Sequence, residues 1–196
     1  MDSKEIATIV VFSALTVALN LSPVKIPAPY ALFLIYQLWE IPIVAAFLLY
    51  GLRIGIAISL INTIVLLGVF PGELPTGPFY NLAAVLSMLL GIYIIHRLMS
   101  GRFSRKLEAI SASVLGTLTR VGVMTVVNWS LLRYPPPIGF SMPVSTITVM
   151  LPLIVFFNAT LALYTIPIGY ILARTVSFRT NAPSKEESKG SMKRTP

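Results

Sequence analysis

Apolar residues run along this chain in six blocks, at about residues 5–21, 39–52, 53–70, 77–97, 107–132 and 145–174. Short stretches rich in proline, glycine and basic residues separate them. An upright membrane-spanning helix needs roughly 20 apolar residues, so the blocks predict six transmembrane helices. The second and third are short, and Arg53 with Gly51 and Gly55 marks the hairpin between them. The first block follows an acidic start, MDSKE, and lacks a small-residue cleavage site, which predicts a retained span and not a cleaved leader. The pattern therefore gives an all-α integral membrane bundle over residues 1–178. A basic tail, 179–196, rich in Ser, Lys and Glu, is expected to be disordered and cytoplasmic.

Composition agrees with a membrane protein. Apolar residues make up 56% of the chain and charged ones 11%, against roughly 25% charged in soluble domains. The net charge of +8 would suggest a nucleic-acid partner in a soluble protein, but here the charge is segregated. With the N-terminus inside, Lys4, Arg53, Arg97, Arg102, Arg105, Lys106, Arg174, Arg179 and the four basic tail residues all fall on the inner side. Only Lys25 and Arg133 fall outside, and Arg120 lies within a span. This positive-inside bias predicts that both termini are cytoplasmic and removes the case for nucleic acid.

The chain has no cysteine, which excludes disulfides, thiolate metal ligands and a thiol nucleophile. His96 is the one histidine and has no carboxylate cluster beside it in sequence, so no metal site is expected. Walker A, HExxH and GxSxG motifs are all missing. The expectation is a protein that is not an enzyme and carries no cofactor.

Three segments, 22–38, 71–78 and 133–143, are expected as stiff, proline- and aromatic-rich outside loops. They read either as interfacial belts and tight turns or, taken together, as a lid over a cavity between helices. Polar residues inside spans are costly and tend to face the bundle interior or a cavity. Among these, Asn81, Asn128 and Asn158 fall at similar depth in the outer halves of spans four to six. They suit a ligand cradle of amide donors and acceptors, or else hydrogen bonds between helices. Thr76 is expected to cap span four, with Pro78 in its first turn and Asn81 just below the outer loops. Tyr30, Tyr36 and Trp39 would roof such a pocket.

Arg120 is the deepest charge, and no acidic residue stands out as its partner at that depth. Backbone carbonyls between helices, or an anionic or carbonyl-rich solute, are the expected alternatives. Glu40, in LWEIP, is expected at the outer face, either as an anion at a helix N-terminus or as a ligand contact. Ala14 and Ala18, four residues apart in span one, form a small-xxx-small pair that lets another helix approach closely.

Several segments resemble the substrate-binding S component of energy-coupling factor vitamin transporters. They are FSALTVALN in span one, WEIPIVAAFLLYGLRIG leading into span three, PTGPFYNLAAVLSMLLGIY in span four, RVGVMTVVNW in span five and FFNATLALYTIP in span six. Their order and spacing carry the resemblance, which covers most of the chain up to about residue 175. Within that family the riboflavin-binding subgroup is most similar. Its Arg-Met-Asn pattern resembles Arg120, Met124 and Asn128, and its Phe-Asn pair resembles Phe157 and Asn158. Two positions depart: Glu40 stands where Asp is usual, and Leu161 where a lysine is usual, which removes a ligand donor. The resemblance implies a six-helix fold that captures a vitamin from outside through Tyr36, Glu40, Asn81, Arg120, Asn128 and Asn158. It also implies docking through Ala14 and Ala18 onto a transmembrane coupling subunit driven by two ATPases. An S component for another ring vitamin, and an integral-membrane enzyme acting on a lipid-linked substrate through Glu40 and Arg120, are the alternatives.

Overall fold

The computed structural model describes residues 3–69, 74–99 and 104–180. The disorder expected for the tail falls on residues outside these, apart from the helical 179–180, and so does the start of the second loop, 71–73.

Among the described residues the chain forms six helices and one hairpin: α1 (Ser3–Leu21), β1 (Ile26–Ala28), β2 (Ala31–Tyr36), α2 (Glu40–Tyr50), α3 (Leu52–Val69), α4 (Gly77–Met99), α5 (Arg105–Leu131) and α6 (Val144–Thr180). Five of the helices, all but α2, are long and apolar enough to cross a bilayer, and the protein is a multi-pass membrane protein.

The second apolar block does form a helix, but α2 has only 11 residues, or ~16 Å at ~1.5 Å per residue. That is about half of the ~30 Å hydrocarbon core. Its role is interior filler. Ile43, Val44, Ala45 and Ala46 are wholly inaccessible, which explains why the segment is apolar on every side. It packs against α1, α3 and α6 and turns into α3 at Gly51, whose φ of 97° suits a residue without Cβ. The 37 residues of α6 make it ~55 Å long, longer than any span that the hydropathy pattern implied.

The remaining helices close round this short one. α4 lies along α5, and α5 along α6. At the α4–α5 crossing, Gly91 and Gly116 let the two backbones touch: a Cβ on Gly91 would collide with the Thr119 side chain and with the backbone at Leu115 and Gly116. Leu89, Ile92, Ile58, Val85, Phe47 and Ile166 gather in the core between α2, α3, α4 and α6.

α1 is held more loosely. Ser13, Thr16 and Asn20 are buried toward α2 and α3, whereas Val10, Val11, Leu15, Ala14 and Ala18 are exposed. The two alanines therefore lie on a free face of the chain.

Segment 22–38 is a correction to the sequence reading, because it is not all loop. Ile26 pairs with Tyr36, Pro27 with Ile35 and Ala28 with Ala31 in an antiparallel hairpin. Pro23, Pro27 and Pro29 hid the strand pattern, and the bulge between Pro27 and Ala28 breaks its alternation. The hairpin folds down onto α6. Ala28 is buried against Phe157 and Leu161, and the Tyr36 hydroxyl bonds Tyr30 (2.7 Å) and Thr160 (2.8 Å). Burial and the bond to Tyr36 push the Tyr30 phenol up to about 12, so it stays protonated near neutral pH.

Candidate functional site

A cavity of about 430 Å³ lies between the helices, beneath the hairpin. That volume is typical of small-molecule sites, which run from roughly 300 to 1,000 Å³. Every helix contributes a wall residue: Asn20 from α1, Glu40 from α2, Leu66 from α3, Asn81 from α4, Met124 from α5 and Leu161 from α6. Two covers bound it. Leu34, Ile35 and Gln37 come from the hairpin and its exit, and Phe140 from segment 133–143.

Each cover is tied to a different helix. Tyr164 donates its hydroxyl to the Gln37 carbonyl (2.7 Å), holding the hairpin to α6. Tyr80 donates to the Ile138 carbonyl (2.8 Å), holding the other cover to α4. Thr76 does not cap α4 as expected: its hydroxyl donates instead to the Pro137 carbonyl (2.5 Å), serving the same tether.

The floor is ionic. Arg120 grips Glu40 with both terminal nitrogens: Nη1 donates to Oε2 at 2.5 Å and Nη2 to Oε1 at 2.9 Å. Its Nε donates to Asn158 Oδ1 at 3.1 Å. Glu40 is 2% exposed and Arg120 3%.

Two sequence expectations change here. Arg120 has an acidic partner, and Glu40 is not at the outer face. The short α2 explains both. A full-length span starting at residue 39 would put Glu40 at the surface. A half-length helix beginning beneath a hairpin puts it inside the bundle, opposite the middle of α5. A buried pair in this bidentate geometry offsets its desolvation cost only when its remaining groups are also bonded, and Asn158 supplies one such bond.

The asparagines divide by their commitments. Asn158 is engaged at both ends, with Oδ1 accepting from Arg120 and Nδ2 donating to the Ile154 carbonyl at 2.9 Å. Asn128 donates Nδ2 to the Met124 carbonyl at 2.7 Å, and its Oδ1 has no partner among the described residues. Asn81 lines the cavity with its side chain exposed. Arg120, Met124 and Asn128 recur every four residues, so one face of α5 presents all three.

Tyr36 is not among the lining residues. It packs on Phe157 (ring centroids 4.8 Å apart) and Tyr164, one layer behind the wall, as does Tyr30 on Phe156. Of the three expected roof aromatics, only Trp39 reaches the cavity. Sequence reasoning missed Asn20 and Gln37. Asn20 was legible as an amide closing an apolar block, but Gln37 carried no pattern at all.

His96 lies away from the cavity and is not alone. Its Nδ1 meets Glu108 Oε1 at 2.5 Å, and its Nε2 bonds the Tyr170 hydroxyl at 2.7 Å, clasping α4 to α5 and α6.

No protein-family model matches the chain, and no curated protein sequence does. Among solved structures, the S component of a bacterial ECF transporter superposes on it with a TM-score of 0.74 at 22% identity, covering 92% of this chain and 99% of that one. The chain thus has the fold of a transporter S component.

Proposed function

We propose that this protein is the substrate-binding subunit of an ATP-driven vitamin uptake transporter of the energy-coupling factor type, and that its cavity takes riboflavin. The observation that carries the reading is the cavity itself: a partly open slot of mixed apolar and polar lining, with a neutral ionic floor and amide groups that have acceptors to spare, set in an S-component fold. Riboflavin has a flat apolar ring system, a uracil-like edge of alternating acceptors and donors, and a hydroxylated ribityl tail. Trp39, Met124, Phe157 and Leu161 offer surface for the ring. Asn128 Oδ1 and the Asn81 amide offer groups for its polar edge. Leu161, where a lysine is usual in the riboflavin subgroup, adds ring contact in place of a donor. Glu40 and Arg120 cancel each other's charge, which favours an uncharged ligand. The same pairing weighs against an enzyme, since both Glu40 oxygens are engaged by the guanidinium and neither is free to act as a base.

On this reading both termini are cytoplasmic and the cavity loads from outside. The exposed Ala14 and Ala18 face of α1 docks onto a coupling subunit that carries two ATPases. The double variant Ala14→Trp with Ala18→Trp is expected to block ATP-driven uptake in cells while solute binding to the purified chain stays near that of the parent. Binding that falls as far as uptake would place this face in the fold or the pocket. The substrate is tested by equilibrium titration of the purified protein with a panel of vitamins. Saturable 1:1 binding of riboflavin, tighter than any other member, supports the reading; preference for a different vitamin, or no binding, rejects it.

A further inference from the structure

We propose that Asn20 of α1 is a ligand-binding residue of the cavity, accepting a hydrogen bond from a hydroxyl of the ligand's tail, with Asn62 of α3 as its positioning partner. The inference rests on the riboflavin reading and adds to it a contact from the far side of the bundle. Asn20 is 4% exposed and lines the cavity one residue before α1 ends. Its Nδ2 donates to Asn62 Oδ1 at 3.4 Å, and Asn62 is itself buried. In this arrangement the Nδ2 end of the Asn20 amide is turned toward α3. Asn20 Oδ1 has no partner among the described residues.

The neighbouring polar side chains spend their donors within their own helices. Asn128 and Asn158 each return an N–H to the carbonyl four residues earlier, and Ser59 and Thr63 on the facing helix do the same with their hydroxyls. Asn20 instead reaches across to α3 by one long bond and leaves an acceptor over. An acceptor that opens on the cavity and meets no protein donor is left unpaired when a ligand displaces its water, so its natural complement is an O–H or N–H donor arriving with the ligand. The choice of a tail hydroxyl follows from position. α1 packs on α2 and α3, whereas the Asn128 amide assigned to the ring edge stands on α5, across the cavity. A ligand whose ring edge meets α5 extends its other end toward α1.

The test compares riboflavin with lumiflavin, which keeps the ring and has a methyl group in place of the ribityl tail. Asn20→Leu is close to isosteric and is expected to weaken riboflavin binding about 5- to 30-fold, while lumiflavin affinity changes less than about 2-fold. Asn62→Leu should weaken riboflavin in the same direction by a smaller factor, because it frees the amide to turn. Should Asn20→Leu not fold, Asn20→Ser, too short to make the contact, reads the same comparison. Riboflavin affinity equal to the parent's, or an equal fall for both flavins, overturns the inference while leaving the riboflavin reading in place. A parent that binds neither flavin overturns that reading and the inference with it.

Discussion

Arg120→Leu is expected to cost about 3–5 kcal/mol of stability, because it leaves the Glu40 carboxylate buried with no countercharge. Both oxygens of Glu40 depend on this one guanidinium, and the Nε bond to Asn158 disappears with it. The pair joins α2 to α5 and α6 at the cavity floor, so its loss loosens three helices at once. The informative comparison is the double variant, Glu40→Leu with Arg120→Leu. Removing both charges from a buried pair is often neutral or stabilising, so the double variant should recover most of the lost stability, yet bind ligand poorly because the polar floor is gone. Unfolding in detergent, followed by circular dichroism, measures the four corners of the cycle. A double variant whose loss equals the sum of the two single losses would mean that the two groups contribute independently and that the ionic floor is not a unit.

Asn128→Ala and Asn158→Ala should behave differently, although the sequence places the two amides at similar depth. Among the described residues Asn128 Oδ1 has no partner, and the one side-chain bond of this amide is local, to its own helix. Its loss should therefore weaken riboflavin binding about 5- to 150-fold, the equivalent of about 1–3 kcal/mol for a buried group left unpaired, with stability close to that of the parent. Asn158 holds Arg120, so its removal should lower stability and affinity together. Isothermal binding and thermal unfolding of the two variants separate these outcomes. Equal affinity in parent and Asn128→Ala would make that amide a packing element and not a reader of the ligand.

The parts of the molecule that were legible in the sequence follow from the bilayer. Long apolar blocks must become helices because no water is present to pair a free backbone, and α1, α3, α4 and α5 appear close to where hydropathy places them. The half-length α2 was not legible. Hydropathy reports that a segment avoids water, and the same value results whether lipid or protein surrounds it. From that one ambiguity came the misplaced depth of Glu40 and the missing partner for Arg120, 80 residues away in sequence. The hairpin was hidden by its prolines. The amides Asn81, Asn128 and Asn158 were legible as a group because amides in apolar helices are rare, and the structure brings all three to one cavity. Their division into free and committed groups depends on Arg120, and so on the fold.

Riboflavin capture is tested most directly by the visible absorption spectrum of the purified protein after incubation with riboflavin and removal of free ligand by gel filtration. A riboflavin site gives a yellow protein carrying about one flavin per chain, its absorbance bands shifted from those of free riboflavin by the apolar part of the cavity wall. A colourless, folded protein that retains no flavin through the column would contradict it.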